Sequence, residues 1–325
     1  MRILTVTEND AGQRLDKFLL KTFKTMPASL AYKYLRTKKI KVNRKRAEPS
    51  MMLSAGDTVQ CFIKEEFFLP AENAELSFLS LVPSLSVIYE DENILLVSKK
   101  PGVSVHADEF GGENTLIEHI KAYLYRKGEY DPAKEQSFAP ALCNRIDRNT
   151  GGIVIAAKNA AALRRINEKI KNREIDKYYL CIVHGTLPKK ADTLTAYMKK
   201  DERDKLVTIY DRSGPGLKTM VTKYRVIEEK NGLSLLEVEL LTGRTHQIRA
   251  HFAHIGHPLL GDGKYGVNRR DRQAGYAYQA LYSYRVRFSF EGDSSPLENL
   301  TGREFSVPKE EIPFLAPFSS GEIIL

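Results

Sequence analysis

The chain is poor in cysteine, has no tryptophan and contains no long apolar run. Its three cysteines, Cys61, Cys143 and Cys181, lie far apart and form no C-x-x-C pair. This spacing argues against a disulfide scaffold and a cysteine-based zinc site, and it predicts a reducing, cytoplasmic compartment. No apolar stretch approaches the roughly 18 residues of a membrane helix, and the N-terminal sequence has no signal-peptide core. We therefore expect no membrane partner.

The composition that is present is typical of a globular protein. The 325 residues are 42% hydrophobic and 28% charged, close to the usual shares of about 45–50% and about 25%. These values exclude disordered and fibrous proteins. The length is about twice that of a domain of roughly 150 residues, so we expect one large and one small domain.

Positive charge is concentrated at one end of the chain. Residues 1–64 carry 14 Lys and Arg against 5 Asp and Glu, whereas residues 65–325 carry 36 of each. The net charge of +9 therefore belongs entirely to the first fifth of the chain. A basic module attached to a neutral body is typical of proteins that bind nucleic acid.

Residues 1–64 are predicted to form a small module. Apolar side chains at helical spacing predict a first helix after Gly12, and Pro27 opens a second. A strand over 40–42, a turn and a further strand up to residue 63 complete the unit. The second helix and the turn after it carry the basic side chains that we expect to face phosphate groups: Lys33, Arg36, Lys38, Lys39, Arg44 and Lys45.

The rest of the chain divides into a connector over 65–83, which has mixed composition and two prolines, and a body over 84–325. Strand-like segments outnumber helical ones in the body and follow one another in runs, which predicts an α+β fold with mainly antiparallel pairing. Two strands, over 141–146 and 152–157, are joined by a tight polar turn. Residues 244–256 are predicted to be a helix.

Asp147 is the first candidate for chemistry because it stands at the turn between those two strands. Arg145 and Arg148 flank it, and nearby cations would keep such a carboxylate ionised for use as a nucleophile. The pattern is also typical of a turn aspartate that binds its own backbone. Tyr178 and Tyr179 are a second candidate, since consecutive strand residues point to opposite faces and one ring could stack on a base.

A histidine-rich stretch is the third candidate, because four of the seven histidines lie within residues 244–257. His251 and His254 are one helical turn apart, so a metal site is one interpretation. However, the stretch has no H-E-x-x-H and no carboxylate or thiol inside the predicted helix. The nearby G-D-G-K-Y-G matches G-x-G-x-x-G but opens no helix after a strand, so we interpret it as a loop.

Five segments, taken in order, resemble the RluA-type pseudouridine synthases. R-I-D-R-N-T-G-G-I-V-I-A-A-K resembles the motif around the family's catalytic aspartate, and K-Y-Y-L-C-I-V-H-G resembles its K-x-Y-x-A segment. L-T-G-R-T-H-Q-I-R-A-H-F-A-H-I-G-H-P-L-L-G-D-G-K-Y-G resembles the third segment nearly residue for residue. The opening hairpin and a late strand match too, so the resemblance spans about residues 85–290. Residues 13–63 resemble the α-L RNA-binding domain first seen in a ribosomal small-subunit protein.

The resemblance implies an isomerase with a long mixed sheet and a central cleft, which detaches uridine from its glycosidic nitrogen and rejoins it through carbon 5 without a cofactor or metal. Asp147 matches the nucleophile, with attack on sugar or base left open. Tyr179 matches the residue that stacks on the base and assists proton removal from carbon 5. Arg244 matches the arginine that pairs with the aspartate, and Arg145 the residue that displaces the flipped nucleotide. Other motif positions implied to bind RNA are Thr150, His246, Gln247 and Arg249.

Several positions depart from the family pattern. Asn144 stands at the motif histidine, Gly151 at the motif serine and Tyr282 at a late-strand histidine. Ile146 replaces a leucine and Cys181 an alanine. None of these departures removes a group with an implied covalent role, although Gly151 would allow a looser turn.

Large-subunit ribosomal RNA is the substrate that the resemblance favours, because this branch of the family carries the N-terminal domain. Transfer RNA is the alternative substrate, and we expect a monomer. Two other functions stay open: a non-catalytic ribosomal-RNA binding or assembly factor that keeps the fold, and a metal hydrolase built on the histidines. Asp147, Tyr179 and Arg244 occurring together argue against the non-catalytic factor.

Overall fold

The computed structural model describes residues 1–68, 73–107, 114–201, 206–266 and 268–320. The strands are β1 (Arg2–Thr5), β2 (Ile40–Val42), β3 (Lys45–Arg46), β4 (Thr58–Cys61), β5 (Ser86–Glu90), β6 (Ile94–Lys99), β7 (Ala141–Leu142), β8 (Gly151–Ala157), β9 (Ile175–His184), β10 (Ala191–Lys200), β11 (Val207–Tyr210), β12 (Lys218–Lys230), β13 (Leu233–Leu240), β14 (Leu281–Phe288) and β15 (Glu304–Ser306). The helices are α1 (Leu15–Thr22), α2 (Ala28–Arg36), α3 (Leu116–Arg126), α4 (Ala160–Lys171), α5 (Gln247–His254), α6 (Arg269–Gln273) and α7 (Leu315–Ser320). None of the described helices has the length and apolar character of a membrane-spanning segment.

The N-terminal module packs two helices on a small sheet of order β1-β4-β2-β3. Phe18 and Leu19 of α1 and Leu35 of α2 are buried against Val59 of β4, because both helices turn an apolar stripe to one side. The two helices and the strands β2 and β4 match the predictions. The sequence prediction missed β1, whose mainly exposed residues show no apolar alternation and which pairs with the edge of β4.

The body is an α+β unit built on one long sheet of order β11-β10-β12-β13-β9-β14-β8-β6-β5, with β7 beside β8 and β15 beside β14. Among the described pairs, β8 and β14 are parallel and the others antiparallel. The predicted mixed, mainly antiparallel sheet is therefore confirmed. The strand predicted over 141–146 is shorter, because β7 ends at Leu142 and the Asn144 side chain takes over its pairing by accepting a hydrogen bond from the Ile155 amide at 2.7 Å.

Central strands of this sheet are buried on both faces. Ile153 and Ile155 of β8 face one core together with Ile166 of α4. Val154 faces the other core, which also holds Phe252 of α5. Since a strand alternates its side chains between the two faces, this double burial fixes β8 and the turn that leads into it.

The predicted connector is partly packed. Short 3-10 turns cover Glu65–Phe68 and Asn73–Ser80, and residues 69–72 lie outside the described part of the chain. Phe67 is buried in the N-terminal core, whereas Phe78 is buried in the body. We therefore propose that the chain divides into the module 1–64, the connector 65–83 and the body 84–325, with both ends of the connector packed against their neighbours. Residues 321–325 of the body lie outside the described part of the chain.

A buried carboxylate joins the module to the body. Asp10 is fully buried and accepts hydrogen bonds from the Ser137 amide at 3.1 Å, the Ser137 hydroxyl at 2.5 Å and the Gln136 side chain at 3.0 Å. It also accepts from the Thr7 amide and hydroxyl of its own module. Because a buried carboxylate needs such donors, Asp10 fixes the module on the segment that precedes β7.

We predict that Asp10→Ala loosens this junction. Ser137 would keep two partly buried donors without an acceptor, at about 2 kcal/mol, so its amide should exchange with solvent about 30-fold faster when hydrogen exchange is measured. Asp57→Ala is the control, because Asp57 binds Ser54 and Asn43 inside the module. Unchanged exchange at Ser137 in the Asp10 variant would contradict the assignment.

Candidate active site

The turn over residues 147–150, here called the Asp147 turn, lies between β7 and β8. The Thr150 amide donates to the Asp147 carbonyl oxygen at 3.0 Å and closes the turn. Ile146 before it is buried in the core, whereas the Asp147 side chain is 28% exposed. The buried Ile146 therefore anchors the turn, and the turn presents the Asp147 carboxylate at the protein surface.

Strand register brings Tyr179 to the level of this turn. Gly152 of β8 pairs with Ser283 of β14, which pairs in turn with Tyr179 of β9. A Cβ built on Gly152 would lie 2.1 Å from the Ser283 carbonyl oxygen, and the φ of Gly152 is +113°, so only glycine allows this approach. Tyr179, predicted as a site residue, thus stands two strands away from the Asp147 turn.

An arginine from α5 forms the ion pair with Asp147. Arg249 Nη1 donates to Asp147 Oδ2 at 2.7 Å. Arg244, the partner expected from the resemblance, is exposed and donates its Nε to the Thr219 carbonyl oxygen instead. The expected pairing of Arg244 is therefore corrected to Arg249, for which the sequence had suggested RNA contact. The physical reason is that Arg244 lies in the loop before α5, whereas Arg249 projects from its first turns.

Asp262 completes this arrangement, and the sequence interpretation gave it no catalytic role. Arg249 donates its Nε and Nη2 to the two oxygens of Asp262, at 2.8 and 2.9 Å. Burial opposes ionisation of Asp262, but the hydrogen bonds and charge of Arg249 outweigh it, so the pKa of Asp262 is lowered. Burial likewise opposes the charge of Arg249, yet its two carboxylate partners raise the pKa of the guanidinium. A bidentate pair of this kind fixes the orientation of the third N–H group toward Asp147.

The G-D-G-K-Y-G segment forms a loop, as predicted, and it supplies Asp262 to the site. Tyr265 from the same loop binds His246 Nδ1 through its hydroxyl at 2.8 Å. His246 Nε2 lies 3.9 Å from Asp147 Oδ2. Burial lowers the pKa of His246, and the charge of Asp147 opposes that shift. The predicted site residue His246 is therefore close to Asp147, held by Tyr265.

Tyr179 is buried, with 6% of its surface exposed. Burial raises the pKa of its phenol to about 12, the charge of Asp147 acts in the same direction, and the Ser283 hydroxyl opposes it. The phenol is therefore protonated at neutral pH. Tyr178 lies on the other face of β9, where the Arg285 guanidinium stacks at 4.1 Å from its ring centre.

Two of the predicted RNA-binding residues are internal supports. Gln247 is buried, and its side chain binds the Arg244 amide, the Thr242 hydroxyl and the Val221 carbonyl oxygen. Because of these bonds, the helix that was predicted to start at residue 244 starts only at Gln247. Thr150 is buried too, and its hydroxyl accepts from Gln279 Nε2 at 3.1 Å. The predicted RNA contact of Gln247 and Thr150 is therefore corrected to a structural role, because their polar groups bind partners inside the protein.

The buried side chain of Lys99 anchors the Asp147 turn from the protein interior. Its side chain is 1% exposed, and its Nζ donates to three carbonyl oxygens, those of Lys100 at 3.1 Å, Val103 at 2.8 Å and Arg148 at 2.8 Å. An ammonium group has three N–H donors, so each acceptor is served by one. Burial lowers the pKa of Lys99 to about 8, and the charge of Asp147 opposes the shift.

Two departures from the family motif, Gly151 and Tyr282, are explained together because the two residues pack against each other. Tyr282 is buried, and its hydroxyl bonds with the Ser98 hydroxyl at 2.9 Å. A Cβ built on Gly151 would lie 2.3 Å from the Tyr282 ring. The glycine therefore gives the larger ring its space, and the loosening expected from Gly151 is offset because Tyr282 fills that space.

The remaining predicted positions are exposed. Arg145 lies at the surface two residues before Asp147. On the N-terminal module, all six basic side chains expected to face phosphate are exposed: Lys33, Arg36, Lys38, Lys39, Arg44 and Lys45. Their proposed contact with RNA stays a prediction.

The histidines within and just after α5 have separate partners. His251 Nδ1 lies 2.9 Å from the Thr222 hydroxyl, His254 pairs with Asp211, and His257 with the His184 carbonyl oxygen. Within the described part of the chain, no three His, Cys, Asp or Glu side chains are grouped so that they could hold a metal ion. The geometry gives no support to the metal-hydrolase alternative.

Two family models match the chain. Residues 93–254 match the model described as RNA pseudouridylate synthase, and residues 13–59 match the S4 domain. The chain is 32% identical over 303 residues to a ribosomal large subunit pseudouridine synthase C of Vibrio vulnificus, covering 92% of this chain and 91% of the relative. It is 30% identical to the protein of the same name in Escherichia coli, covering 89% and 88%.

Solved structures show the same fold. The human RNA pseudouridylate synthase domain containing 1 matches with a TM-score of 0.56 at 23% identity, covering 71% of this chain and 86% of that one. Human RNA pseudouridylate synthase domain containing 4 matches with a TM-score of 0.54 at 18% identity, covering 69% and 88%.

We predict that Gly151→Ser destabilises the protein by about 2–3 kcal/mol through overpacking against Tyr282. Denaturant unfolding measures this loss. Gly243→Ser is the matched control, because a Cβ there meets no atom within 4 Å. The penalty should shrink in a Tyr282→His background; an equal penalty in both backgrounds would show that the two positions are not coupled.

We predict opposite effects of alkaline pH on turnover and stability through Lys99. Above pH 8 the neutral amine has two donors for three carbonyl oxygens, so turnover should fall with a midpoint near pH 8. The unfolded chain, with a lysine pKa near 10.4, binds more protons between pH 8 and that value, so the free energy of unfolding should rise there. Lys99→Met should lower turnover at pH 7 and abolish both pH effects; a wild-type pH profile in this variant would contradict the role.

Proposed function

The chain belongs to the RNA pseudouridylate synthase family, and on that premise we propose that Asp147 is its nucleophile and that large-subunit ribosomal RNA is its substrate. The enzyme isomerises uridine in RNA to pseudouridine. The observation that carries the assignment of the nucleophile is the ion pair between Asp147 and Arg249, oriented by the buried Asp262.

The ion pair leaves one carboxylate oxygen of Asp147 available. Arg249 binds Oδ2, while Oδ1 has no hydrogen-bond partner within the described residues. An attacking carboxylate must be held in position and approach the nucleotide with an open oxygen. The Asp147 turn meets both needs, because Lys99 and Arg249 hold it from two sides.

The reaction conserves all atoms of the nucleotide. The bond between carbon 1 of the ribose and ring nitrogen 1 breaks, the base turns, and a bond from carbon 1 to ring carbon 5 forms. Carbon 5 loses its proton and nitrogen 1 ends with one. Because no electrons are gained or lost overall, carboxylate and proton-transfer chemistry is sufficient.

Tyr179 is proposed as the surface on which the uracil ring stacks. Its raised pKa keeps the phenol neutral in the resting enzyme, as a stacking face and hydrogen-bond donor. Assistance in removing the proton from carbon 5 requires this phenol to release its own proton while substrate is bound. Arg145, exposed beside the turn, is proposed to occupy the space that the flipped nucleotide leaves.

Large-subunit ribosomal RNA is favoured over transfer RNA by the names of the relatives, while the N-terminal module supports RNA binding in general. The relatives quoted above are named for the ribosomal large subunit. The N-terminal module, docked through Asp10, carries the exposed cations suited to a phosphate backbone. We also propose that the protein acts as a monomer in the cytoplasm, where the three free cysteines stay reduced.

We predict that Asp147→Asn abolishes pseudouridine formation but leaves RNA binding intact, because the amide keeps the shape and loses the nucleophile. Tritium release from carbon-5-labelled uridine RNA should fall by at least about 1,000-fold. Asp192→Asn, at an exposed ion pair with Lys189, is the control and should retain the wild-type rate. Normal release by the Asp147 variant would refute the nucleophile, and no release by the wild type would favour a non-catalytic factor.

The substrate assignment has its own test. Pseudouridines should be mapped in ribosomal and transfer RNA from cells with and without this gene. Loss of a site confined to large-subunit ribosomal RNA supports the proposal, whereas loss confined to transfer RNA overturns it.

A further inference from the structure

A cationic face beside the active site has no part in the chemistry above. It is formed by Arg269, Arg270 and Arg272 of α6, all exposed. Among the described residues, Arg269 and Arg270 have no carboxylate partner. Positive charge is therefore concentrated here, outside the basic N-terminal module.

The acidic residue of α6 does not neutralise this face, because it points inward. Asp271 is 2% exposed, and its Oδ2 accepts from the Gly261 amide at 2.7 Å and lies 3.1 Å from His184 Nε2. A carboxylate used in this way anchors the helix and presents its arginines to solvent. The anchor at Gly261 is directly next to Asp262, the partner of Arg249.

An exposed aromatic ring shortly after α6 lies over the loop that is hydrogen-bonded to the Asp147 turn. Tyr278 is 45% exposed. A Cβ built on Gly102 would lie 3.1 Å from the Tyr278 hydroxyl, so the phenol covers this loop. Gly102 and Arg148 exchange two hydrogen bonds, at 2.9 and 3.1 Å. Gln279, the next residue after Tyr278, donates to Thr150.

We propose that Arg269, Arg270 and Tyr278 bind the single-stranded nucleotides that flank the target uridine. Guanidinium groups bind phosphates, and an exposed ring stacks on unpaired bases of any sequence. Flipping one nucleotide unstacks its neighbours, which then need a new surface close to the Asp147 turn. An acidic protein segment would satisfy the arginines but would leave the ring beside the turn unused, so RNA is the better fit. This inference rests on the proposed function.

The experiment uses the full-length protein and an RNA substrate. Arg269→Gln with Arg270→Gln should raise KM about tenfold or more, while turnover at saturating RNA stays within about twofold of wild type. The salt dependence should become less steep by about 1.4 in the log–log slope, which corresponds to two phosphates of a single strand. Arg269→Lys with Arg270→Lys should recover most of the affinity and the slope.

Matched controls separate this surface from general charge effects. Lys171→Gln with Arg173→Gln removes the same charge from exposed positions near the start of β9. That site is about 30 Å from the end of β9 at His184, where α6 is anchored, and KM should change less than twofold. Lys33→Gln with Arg36→Gln on the N-terminal module gives a comparison with the phosphate contacts proposed for that module.

Stacking by Tyr278 is tested separately from charge. Tyr278→Ala should raise KM about 5- to 100-fold without changing the salt slope, whereas Tyr278→Phe should stay near wild type. Circular dichroism confirms that each variant is folded.

Unchanged KM and salt slope in the arginine pair, with active wild type, would overturn the inference and leave the proposed function standing. A wild type that makes no pseudouridine would instead refute the proposed function.

Discussion

The ion pair between Asp147 and Arg249 is the interaction on which the site depends. Arg249 is buried, and a buried guanidinium requires acceptors for its N–H groups. Asp262 supplies two of them and Asp147 the third contact. The hydrogen bonds that supply acceptors to the Arg249 guanidinium therefore also orient the Asp147 carboxylate. Removing Asp262 would leave a buried charge with one acidic partner, so the loop after α5 belongs to the site through its bond to Arg249.

The Asp147 turn is held by segments that are remote in sequence. Lys99 ties it to the loop after β6, and Gln279 ties Thr150 to the start of β14. Each support is a buried polar side chain whose donors are matched to carbonyl or hydroxyl acceptors. Such fully satisfied networks resist displacement because breaking one bond leaves a buried group without a partner. A rigid turn of this kind suits the role proposed for Asp147, that of a nucleophile that meets a flipped nucleotide in one geometry.

The departures from the family motif are explained by packing and backbone pairing. Asn144 replaces the missing strand partner of Ile155, so its amide is structural. Gly151 and Tyr282 fit each other as a small and a large residue, and neither change touches the carboxylate. Exchanging volume between facing positions keeps the packing density of a core. The chain can therefore differ from the pattern at these positions and keep Asp147 and Tyr179 in register.

The sequence by itself determined the fold class and the position of the basic module, because charge distribution and periodicity are local properties of the chain. Its resemblance to the family motifs selected Asp147 and Tyr179 as the residues proposed for the site. Only the tertiary structure decided that Arg249 rather than Arg244 pairs with Asp147, that Asp262 orients it, and that Gln247 and Thr150 are buried supports. These facts depend on where α5 begins and on the register of β8, β14 and β9. Both are fixed by contacts between residues far apart in the chain, such as the pairing of Gly151 with Tyr282, which no local pattern records.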